Sequence, residues 1–297
     1  MTDRLTMQDP RTQYPQPPFP KQPQPVPGLQ SKMDPVPDHG ETSYQGSGKL
    51  TGRKALITGG DSGIGRAAAI AYAREGADVA ISYLGNEDSD AKEVIALIEA
   101  EGRKAIALPG DITDEAWCVE LVKQAVSGLG GLDILVINAG RQQNRESIDK
   151  VTSDDFDKTM KTNLYAMHWI AQAAVPHLPA GAAVITTASI QAYEPSAILL
   201  DYATTKAGIV AYTKALAKQL IEKGVRANVV APGPFWTPLQ SSGGQPQDKV
   251  MKMGADVDFG RPGQPVELAP IYVLLASQEG SYINGEVFGV TGGAGIA

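Results

Sequence analysis

From Lys49 onward, short apolar runs alternate with longer helix-like segments, and this alternation restricts the fold more than any other feature of the chain. The runs are apolar at consecutive positions, which is typical of strands that are buried on both faces of a parallel sheet. Parallel neighbours joined through helices make right-handed crossovers. The sequence therefore predicts an α/β fold of Rossmann type, with a doubly wound seven-stranded parallel sheet in a single domain.

The element boundaries follow from the apolar runs, the alanine-rich stretches and the glycines that end them. The predicted strands are 54–59, 78–83, 104–108, 132–138, 182–188, 225–231 and 286–290. The predicted helices are 63–75, 88–101, 114–128, 153–177, 201–223 and 265–277, with a loop-rich insert after the sixth strand. Ligands of such sheets bind at the carboxyl ends of the strands, so functional residues are expected there.

The first 48 residues differ in composition from the rest. The first 40 contain ten prolines and six glutamines, a mixture that favours extended, partly polyproline II structure and cannot build a core of its own. A free tail and an arm packed on the body or on a neighbouring subunit both stay open, and a ligand for a proline-recognising module is less favoured. Four apolar side chains could anchor an arm: Tyr14, Phe19, Met33 and Tyr44. We therefore divide the chain into an arm, 1–48, and a dehydrogenase-like domain, 49–297.

Charge and composition exclude several classes of function. The 297 residues carry a net charge of −7 without any basic cluster, which argues against a nucleic-acid partner. No run of apolar residues is long enough for a membrane span, and no signal-peptide core is present. The single cysteine, Cys118, lies in an apolar stretch and is interpreted as a small buried side chain. A cytoplasmic location is expected.

Metal chemistry has no support in the sequence. The three histidines, His39, His168 and His177, are scattered and do not show the spacing of metal ligands. No metal site is therefore predicted.

A glycine-rich turn follows the first strand, in the sequence Thr58-Gly59-Gly60-Asp61-Ser62-Gly63-Ile64-Gly65. Glycines allow a sharp turn and a close approach of the backbone to a pyrophosphate, and the N-terminus of the next helix presents N–H groups to the same anion. The order of strand, turn and helix predicts a dinucleotide site, since glycines alone are a weak signal in this chain.

A tyrosine and a lysine lie four residues apart on a predicted helix, and they therefore share one face. Tyr202 could serve as a proton donor to a carbonyl oxygen if its pKa, ordinarily about 10, were brought closer to neutral. A neighbouring ammonium such as that of Lys206, together with a positively charged nicotinamide ring, would lower that pKa.

Six motifs in this order resemble those of the short-chain dehydrogenase/reductase family, over about residues 50–297. The turn has the family's T-G-x-x-x-G-I-G spacing, and Asp111 with Ile112 follows the third strand. The remaining motifs are Asn138-Ala139-Gly140 after the fourth strand, Asn163, Ser189 with Tyr202 and Lys206, and Pro232-Gly233 followed by Thr237. With its proline-rich arm, the chain also resembles a bacterial stress-associated subgroup of aldehyde or alcohol reductases.

The resemblance implies a role for each matched residue. Tyr202 donates or accepts the substrate proton, Lys206 lowers the pKa of Tyr202 and binds the nicotinamide ribose, Ser189 orients the substrate oxygen, and Asn163 holds a water behind Lys206. The expected cofactor contacts are Gly59, Asp61, Ser62, Gly63, Ile64, Tyr83, Asp111, Ile112, Asn138, Ala139, Gly140, Tyr202, Lys206, Pro232, Gly233 and Thr237.

The choice between NAD and NADP depends on the end of the second strand, where an acid would bind the ribose 2′-hydroxyl and an arginine would accept a 2′-phosphate. Here the strand ends in Ser82-Tyr83-Leu84, and the next charges are acidic: Glu87, Asp88 and Asp90. This pattern slightly favours NAD, although Arg66 would favour NADP if its side chain turned toward the ribose.

The expected activity is hydride transfer between nicotinamide and a small aldehyde, ketone, polyol or sugar. Segments 141–145, 190–195 and 235–262 are expected to form the substrate pocket, lined by Gln191, Tyr193, Glu194 and Trp236. A 3-oxoacyl carrier-protein reductase and a non-catalytic NAD(P)-sensing regulator are the alternatives. The family resemblance further implies a homotetramer assembled through the helices 153–177 and 201–223 and the last strand.

Overall fold

The computed structural model describes residues 4–296, and its core is a seven-stranded sheet. The strands are β1 (Lys54–Thr58), β2 (Asp78–Tyr83), β3 (Ala105–Pro109), β4 (Ile134–Ile137), β5 (Ala183–Thr187), β6 (Arg226–Pro232) and β7 (Val287–Val290). They pair in the order β3-β2-β1-β4-β5-β6-β7, and every pair is parallel. The predicted fold class and all the predicted strands are confirmed.

Helices cover both faces of this sheet. They are α1 (Gly63–Arg74), α2 (Asp88–Ala100), α3 (Glu115–Leu129), α4 (Ser153–Met160), α5 (Ala166–Ala174), α6 (Leu200–Leu220), α7 (Gln247–Met251) and α8 (Pro265–Ala276). Side chains of α1, α2 and α8 form one apolar core, while those of α3, α5 and α6 form the other. The strand order reverses between β1 and β4, which creates the crevice in which doubly wound folds bind their ligands.

The predicted helix 153–177 is interrupted where the sequence indicated one continuous element. Between α4 and α5 the chain forms a π-helical turn, Lys161–Tyr165, and a short 3-10 turn follows at Val175–His177. Single π-turns widen a helix by one residue and are frequent at functional sites. The turn contains Asn163, whose buried side chain bonds to the loop after β4 instead of facing solvent.

The proline-rich segment packs on the body of the protein. Of its four predicted anchors, Tyr14, Phe19 and Met33 are buried and Tyr44 is half-buried against the core. The ring centroids of Phe19 and Trp236 lie 4.2 Å apart, and the Trp236 indole N–H donates to the backbone oxygen of Pro35 at 2.8 Å. Of the alternatives for this segment, the structure shows the arm packed on the body. The division of the chain at residue 48 stays a prediction.

Two further expectations concern Cys118 and membrane-spanning helices. Cys118 is fully buried in α3, and its thiol lies 3.2 Å from the backbone oxygen of Ile112, so its interpretation as a small core residue is confirmed. None of the helices between residues 4 and 296 combines the length and apolarity needed to cross a membrane.

Candidate active site

A cleft of about 550 Å³ opens at the carboxyl ends of the strands, in the range common for ligand sites. It is lined by every predicted cofactor residue and by three of the four predicted catalytic residues, Ser189, Tyr202 and Lys206. Strands β1, β2, β4, β5 and β6 all end in it, and this is why residues far apart in sequence meet there. Asn163 is the exception and lies behind the wall.

The glycine-rich turn has the shape that a pyrophosphate needs. Gly59 and Gly63 have φ values of +64° and +49°, which favour glycine. At Gly65 an added Cβ would lie 1.9 Å from the backbone oxygen of Gly59, so no larger residue fits without moving the turn. The N-terminus of α1 faces the cleft, and Ser62 places no side-chain cap on its N–H groups. These residues therefore fit the phosphates of a dinucleotide.

Hydrogen bonds join the ends of β1, β4 and β5 beneath the cleft. The Thr58 hydroxyl accepts the backbone N–H groups of Asn138 and Ala139 at 3.0 and 3.1 Å. The Asn138 side chain donates to the backbone oxygens of Thr58 and Gly59 and accepts from the Thr187 hydroxyl at 3.2 Å. Asn138 thus holds the turn in place instead of pointing its amide at a ligand.

At the adenosine end of the cleft two acidic side chains are buried. Asp61 and Glu87 both line the cleft, and Asp61 is 1% exposed, with its Oδ2 atom lacking a hydrogen-bond partner among the described residues. Burial, with repulsion from Asp90, raises the pKa of Asp61 to about 6. Burial, with repulsion from Asp61, raises the pKa of Glu87 to about 8. Sequence reasoning noticed these charges but did not assign Glu87 to the site.

Arg66 does not enter this end of the cleft. Its guanidinium bonds to Glu41 of the arm at 3.0 Å and to Glu93 of α2 at 3.1 Å, and it is not a lining residue. The possibility that Arg66 turns toward the ribose is therefore not the arrangement in the structure.

Tyr202 and Lys206 lie one turn apart near the start of α6, where both side chains are buried. The Lys206 ammonium donates to the backbone oxygen of Thr187 at 2.7 Å and lies 5.3 Å from the centroid of the Tyr202 ring. Burial lowers the pKa of Lys206 to about 7. Ser189 follows β5 and is close enough to the Tyr202 hydroxyl to lower the pKa of that group.

The lowering of the Tyr202 pKa that Lys206 and a nicotinamide ring would produce together stays a prediction. Burial raises the pKa of Tyr202 to about 12, and the interaction with Ser189 opposes this only in part. The buried phenol is therefore protonated, as a proton donor must be.

Asn163 contacts the loop after β4 instead of the cleft. Its Oδ1 atom accepts the backbone N–H of Arg141 at 2.7 Å, and its Nδ2 donates to the backbone oxygen of Arg141 at 3.0 Å and to the Thr205 hydroxyl at 2.9 Å. Both amide donors are thus used within the protein. The side chain positions the loop beside Lys206, and the water-binding role implied for Asn163 stays a prediction.

The substrate end of the cleft differs from the prediction. Of the four expected lining residues only Gln191 lines it, since Trp236 is fully buried beneath the arm and Tyr193 and Glu194 face elsewhere. The predicted segments 141–145 and 235–262 do contribute, chiefly through amide side chains that were not singled out: Gln142, Gln143, Gln240 and Gln245. Their clustering depends on how the insert folds back, and no local sequence signal marks it.

Metal ligation is not indicated. Within residues 4–296, histidine, cysteine and carboxylate side chains form no group of three or more suited to hold a metal ion.

The geometry defines a class of protein: a turn shaped for a dinucleotide opens beside a buried tyrosine–lysine pair, as in nicotinamide-dependent oxidoreductases. A family model described as enoyl-(acyl carrier protein) reductase matches residues 59–295. The chain belongs to the short-chain dehydrogenase/reductase family and is an oxidoreductase that acts with NAD(P).

Known relatives extend this match over almost the whole chain. The oxidoreductase YghA of Escherichia coli is 59% identical, covering 97% of this chain and 98% of the relative. The glucose and ribitol dehydrogenase of Daucus carota is 41% identical over 90% and 94% of the two chains. The chloroplastic NADPH-dependent aldehyde reductase 1 of Arabidopsis thaliana is 40% identical over 90% and 95%.

A solved structure is also similar. A short-chain dehydrogenase of Burkholderia cenocepacia J2315 in complex with NADP superimposes with a TM-score of 0.77 at 36% identity, covering 82% of this chain and 98% of that one.

Proposed function

We propose that the protein transfers a hydride between a nicotinamide and the carbonyl or alcohol carbon of a small aldehyde, ketone, polyol or sugar. The observation that carries this proposal is the placement of Ser189, Tyr202 and Lys206 together on the wall of the cleft that contains the dinucleotide turn. These three residues are the proposed catalytic residues, and Asn163 is proposed to complete the tetrad by positioning the loop beside Lys206.

The mechanism assigns one task to each side chain. The bound dinucleotide supplies or takes up the hydride. In the reduction direction, the Tyr202 hydroxyl donates its proton to the substrate oxygen, which the Ser189 hydroxyl orients. The Lys206 ammonium, held by the backbone oxygen of Thr187, stabilises the phenolate left behind. Burial of this group of residues keeps water from competing for the proton.

The lining favours a small hydroxylated substrate. Five glutamines line the cleft: Gln142, Gln143, Gln191, Gln240 and Gln245. The amide nitrogens of Gln142 and Gln143 donate to backbone oxygens of the insert, whereas the Oε1 atom of Gln245 is buried without a partner among the described residues. Amides both donate and accept hydrogen bonds, so they match hydroxyl groups along a short chain. One relative is named a glucose and ribitol dehydrogenase and another an aldehyde reductase, which supports the same class.

An acyl carrier protein fits less well as a substrate carrier. It would need exposed positive charge beside the cleft. Arg141, Arg145 and the exposed Lys158 lie there, and Asp155 pairs with both arginines at 3.1 and 2.9 Å, which leaves only a small positive patch.

For the dinucleotide, we propose a preference for NAD. The buried carboxylate of Asp61 would repel a 2′-phosphate, whereas a 2′-hydroxyl could donate to the Asp61 Oδ2 atom, which has no partner among the described residues. The similar solved structure holds NADP and one relative is named for NADPH, so the two dinucleotides need direct comparison.

We further propose a homotetramer in the cytoplasm. Tyr165 and Leu200 expose apolar surface on the helical segments through which the family resemblance implies assembly. Ala166 and Ala171, in contrast, are buried within the subunit, so they are not available for that surface. Light scattering of the purified protein tests the assembly.

The test of function is turnover with NADH and NADPH against paired substrates of equal chain length, such as glyceraldehyde and propanal. Wild type should prefer the hydroxylated member of each pair. Tyr202→Phe should bind dinucleotide but lose turnover by about 10²- to 10⁴-fold. Equal turnover of Tyr202→Phe and wild type would contradict the mechanism, and equal rates for both substrates would contradict the substrate class.

A further inference from the structure

The arm reaches the dinucleotide cleft itself. Val26, Pro27 and Gly28 line the cleft together with Asp61 and Gly63 of the glycine-rich turn. The family model begins at residue 59, so a contribution from the arm lies outside that match.

On one side the arm is attached to the start of α2. The backbone N–H of Gln30 donates to the Asp90 carboxylate, and the N–H of Ser31 lies 3.4 Å from the other oxygen of that carboxylate. Asp90 is fully buried, and the Gln30 side chain is almost completely so. Two backbone N–H groups of the arm thus share one buried side chain of α2, which attaches the arm there.

On the other side the arm is attached to the insert after β6. A Cβ added to Gly28 would lie 2.9 Å from the backbone oxygen of Pro238 and 3.1 Å from the Ser242 side chain, so the two chains touch there. Further along, the N–H of Gln24 donates to the Ser241 oxygen at 3.1 Å and the N–H of Phe19 to the Met251 oxygen at 2.8 Å.

The distance between these attachments is short. Gly28 and Gln30 are two residues apart, a span of at most about 7 Å. The insert also touches the glycine-rich turn, because Thr237, next to Pro238, lies 3.1 Å from the position of a Cβ on Gly63, and both line the same cleft as Val26–Gly28. The arm therefore crosses from the insert to α2 beside the residues that fit the pyrophosphate.

We propose that the segment Val26–Gln30, here called the strap, forms the outer wall of the dinucleotide site and must detach before the dinucleotide leaves. This rests on the proposed function, in that a dinucleotide binds in the cleft. An apolar cluster outside the strap holds it in place through contacts of Phe19 and Met33 with Trp236, Val250 and Met253. Because the strap can detach only when these contacts break, the contacts slow the release of the dinucleotide.

The first test measures release directly. NADH bound to the full-length protein is displaced by excess unlabelled dinucleotide, and its fluorescence is followed by stopped flow. Phe19→Ala, which weakens the attachment without altering a cleft residue, should raise the dissociation rate by about tenfold or more. Val36→Ala, an exposed position on the same arm, serves as the matched control and should match wild type.

The second test needs no variant. Hydrogen exchange of wild type with and without NADH should show slower exchange in a peptide covering residues 24–33 and no change in one covering 216–226. Unchanged exchange in 24–33, or equal release rates for Phe19→Ala and wild type, would overturn the strap. Absence of any NADH binding would overturn the proposed function instead, so the two failures are distinguishable.

Discussion

Both ends of the cleft contain buried ionisable groups, a basic group at one end and acidic groups at the other. At the catalytic end, burial lowers the pKa of Lys206 to about 7. At the adenosine end, burial and mutual repulsion raise the pKa of Asp61 to about 6 and that of Glu87 to about 8. In both places the low-dielectric interior disfavours the charged form, and in neither does a neighbouring side chain supply full compensation.

The difference between the ends lies in what satisfies each group. Lys206 has a fixed acceptor in the Thr187 oxygen, so its position is determined before any ligand arrives. Asp61 has an oxygen without a partner among the described residues, and its nearest arginine, Arg66, is engaged by Glu41 and Glu93. We therefore propose that the catalytic end serves the chemical step and that the adenosine end selects the dinucleotide.

Replacing the buried lysine should have the largest effect. Lys206→Met should lower kcat with NADH by about 10²-fold or more, because no ammonium remains to stabilise the phenolate of Tyr202. Steady-state kinetics checks this, with Lys214→Met, an exposed lysine on the same helix, as the control that retains activity. Equal kcat values for Lys206→Met and wild type would show that Lys206 does not serve the chemical step, and the proposed difference between the two ends of the cleft would fail.

Asn163→Ala tests whether the catalytic end is preorganised. The substitution leaves the backbone N–H and oxygen of Arg141 without their side-chain partner, and it should lower the free energy of unfolding by about 1–3 kcal/mol. Urea denaturation measures the change, and Asn86→Ala at an exposed position should leave the stability unaltered. If the two variants were equally stable, the hydrogen bonds of Asn163 would not hold the loop.

Asp61→Asn tests selection at the adenosine end. Removal of the negative charge should raise the ratio of kcat/KM for NADPH to that for NADH by about tenfold, since a 2′-phosphate is then no longer repelled. Glu99→Gln removes the same charge from the exposed side of α2 and should leave the ratio unchanged. A ratio that stays constant in Asp61→Asn would assign the selection to other residues.

A further comparison concerns pH. Because the pKa of Glu87 rises from 4.5 to about 8, the folded protein holds more protons than the unfolded chain between these values, and its stability falls as pH rises. The slope is at most about 1.4 kcal/mol per pH unit for one proton. Glu87→Gln should lack this contribution, so its free energy of unfolding should increase relative to wild type from pH 5 to pH 8.

The pKa shift of Lys206 makes the stability change with pH in the opposite direction. Its pKa is lowered from 10.5 to about 7, so above pH 7 the unfolded chain holds the extra proton and stability rises with pH. Chemical denaturation of wild type, Glu87→Gln and Lys206→Met across pH 5–9 separates the two contributions. Parallel curves for all three proteins would show that neither group titrates as its burial indicates.

Much of the fold and of the catalytic end could be predicted from the sequence. The strands are continuous apolar runs, and their burial requires helices on both faces whatever the details of packing. The glycine-rich turn and the Tyr202–Lys206 pair are local patterns whose geometry follows from a turn and from helical spacing. The π-turn at Asn163 escaped prediction because it depends on a contact with Arg141, 22 residues away in the chain.

The sequence alone determines, therefore, the order of strands and helices, the dinucleotide turn and the spacing of the catalytic side chains, because these depend on neighbours within a few residues. Only the tertiary structure decides which side chains that are far apart in the sequence come into contact. Trp236 is covered by Phe19 instead of lining the substrate pocket, Arg66 pairs away from the ribose, and Val26–Gly28 reaches the cleft. Each of these outcomes arises from contacts between the arm and the body. The contacting residues are more than 20 positions apart in the chain, so local sequence does not determine how they pack.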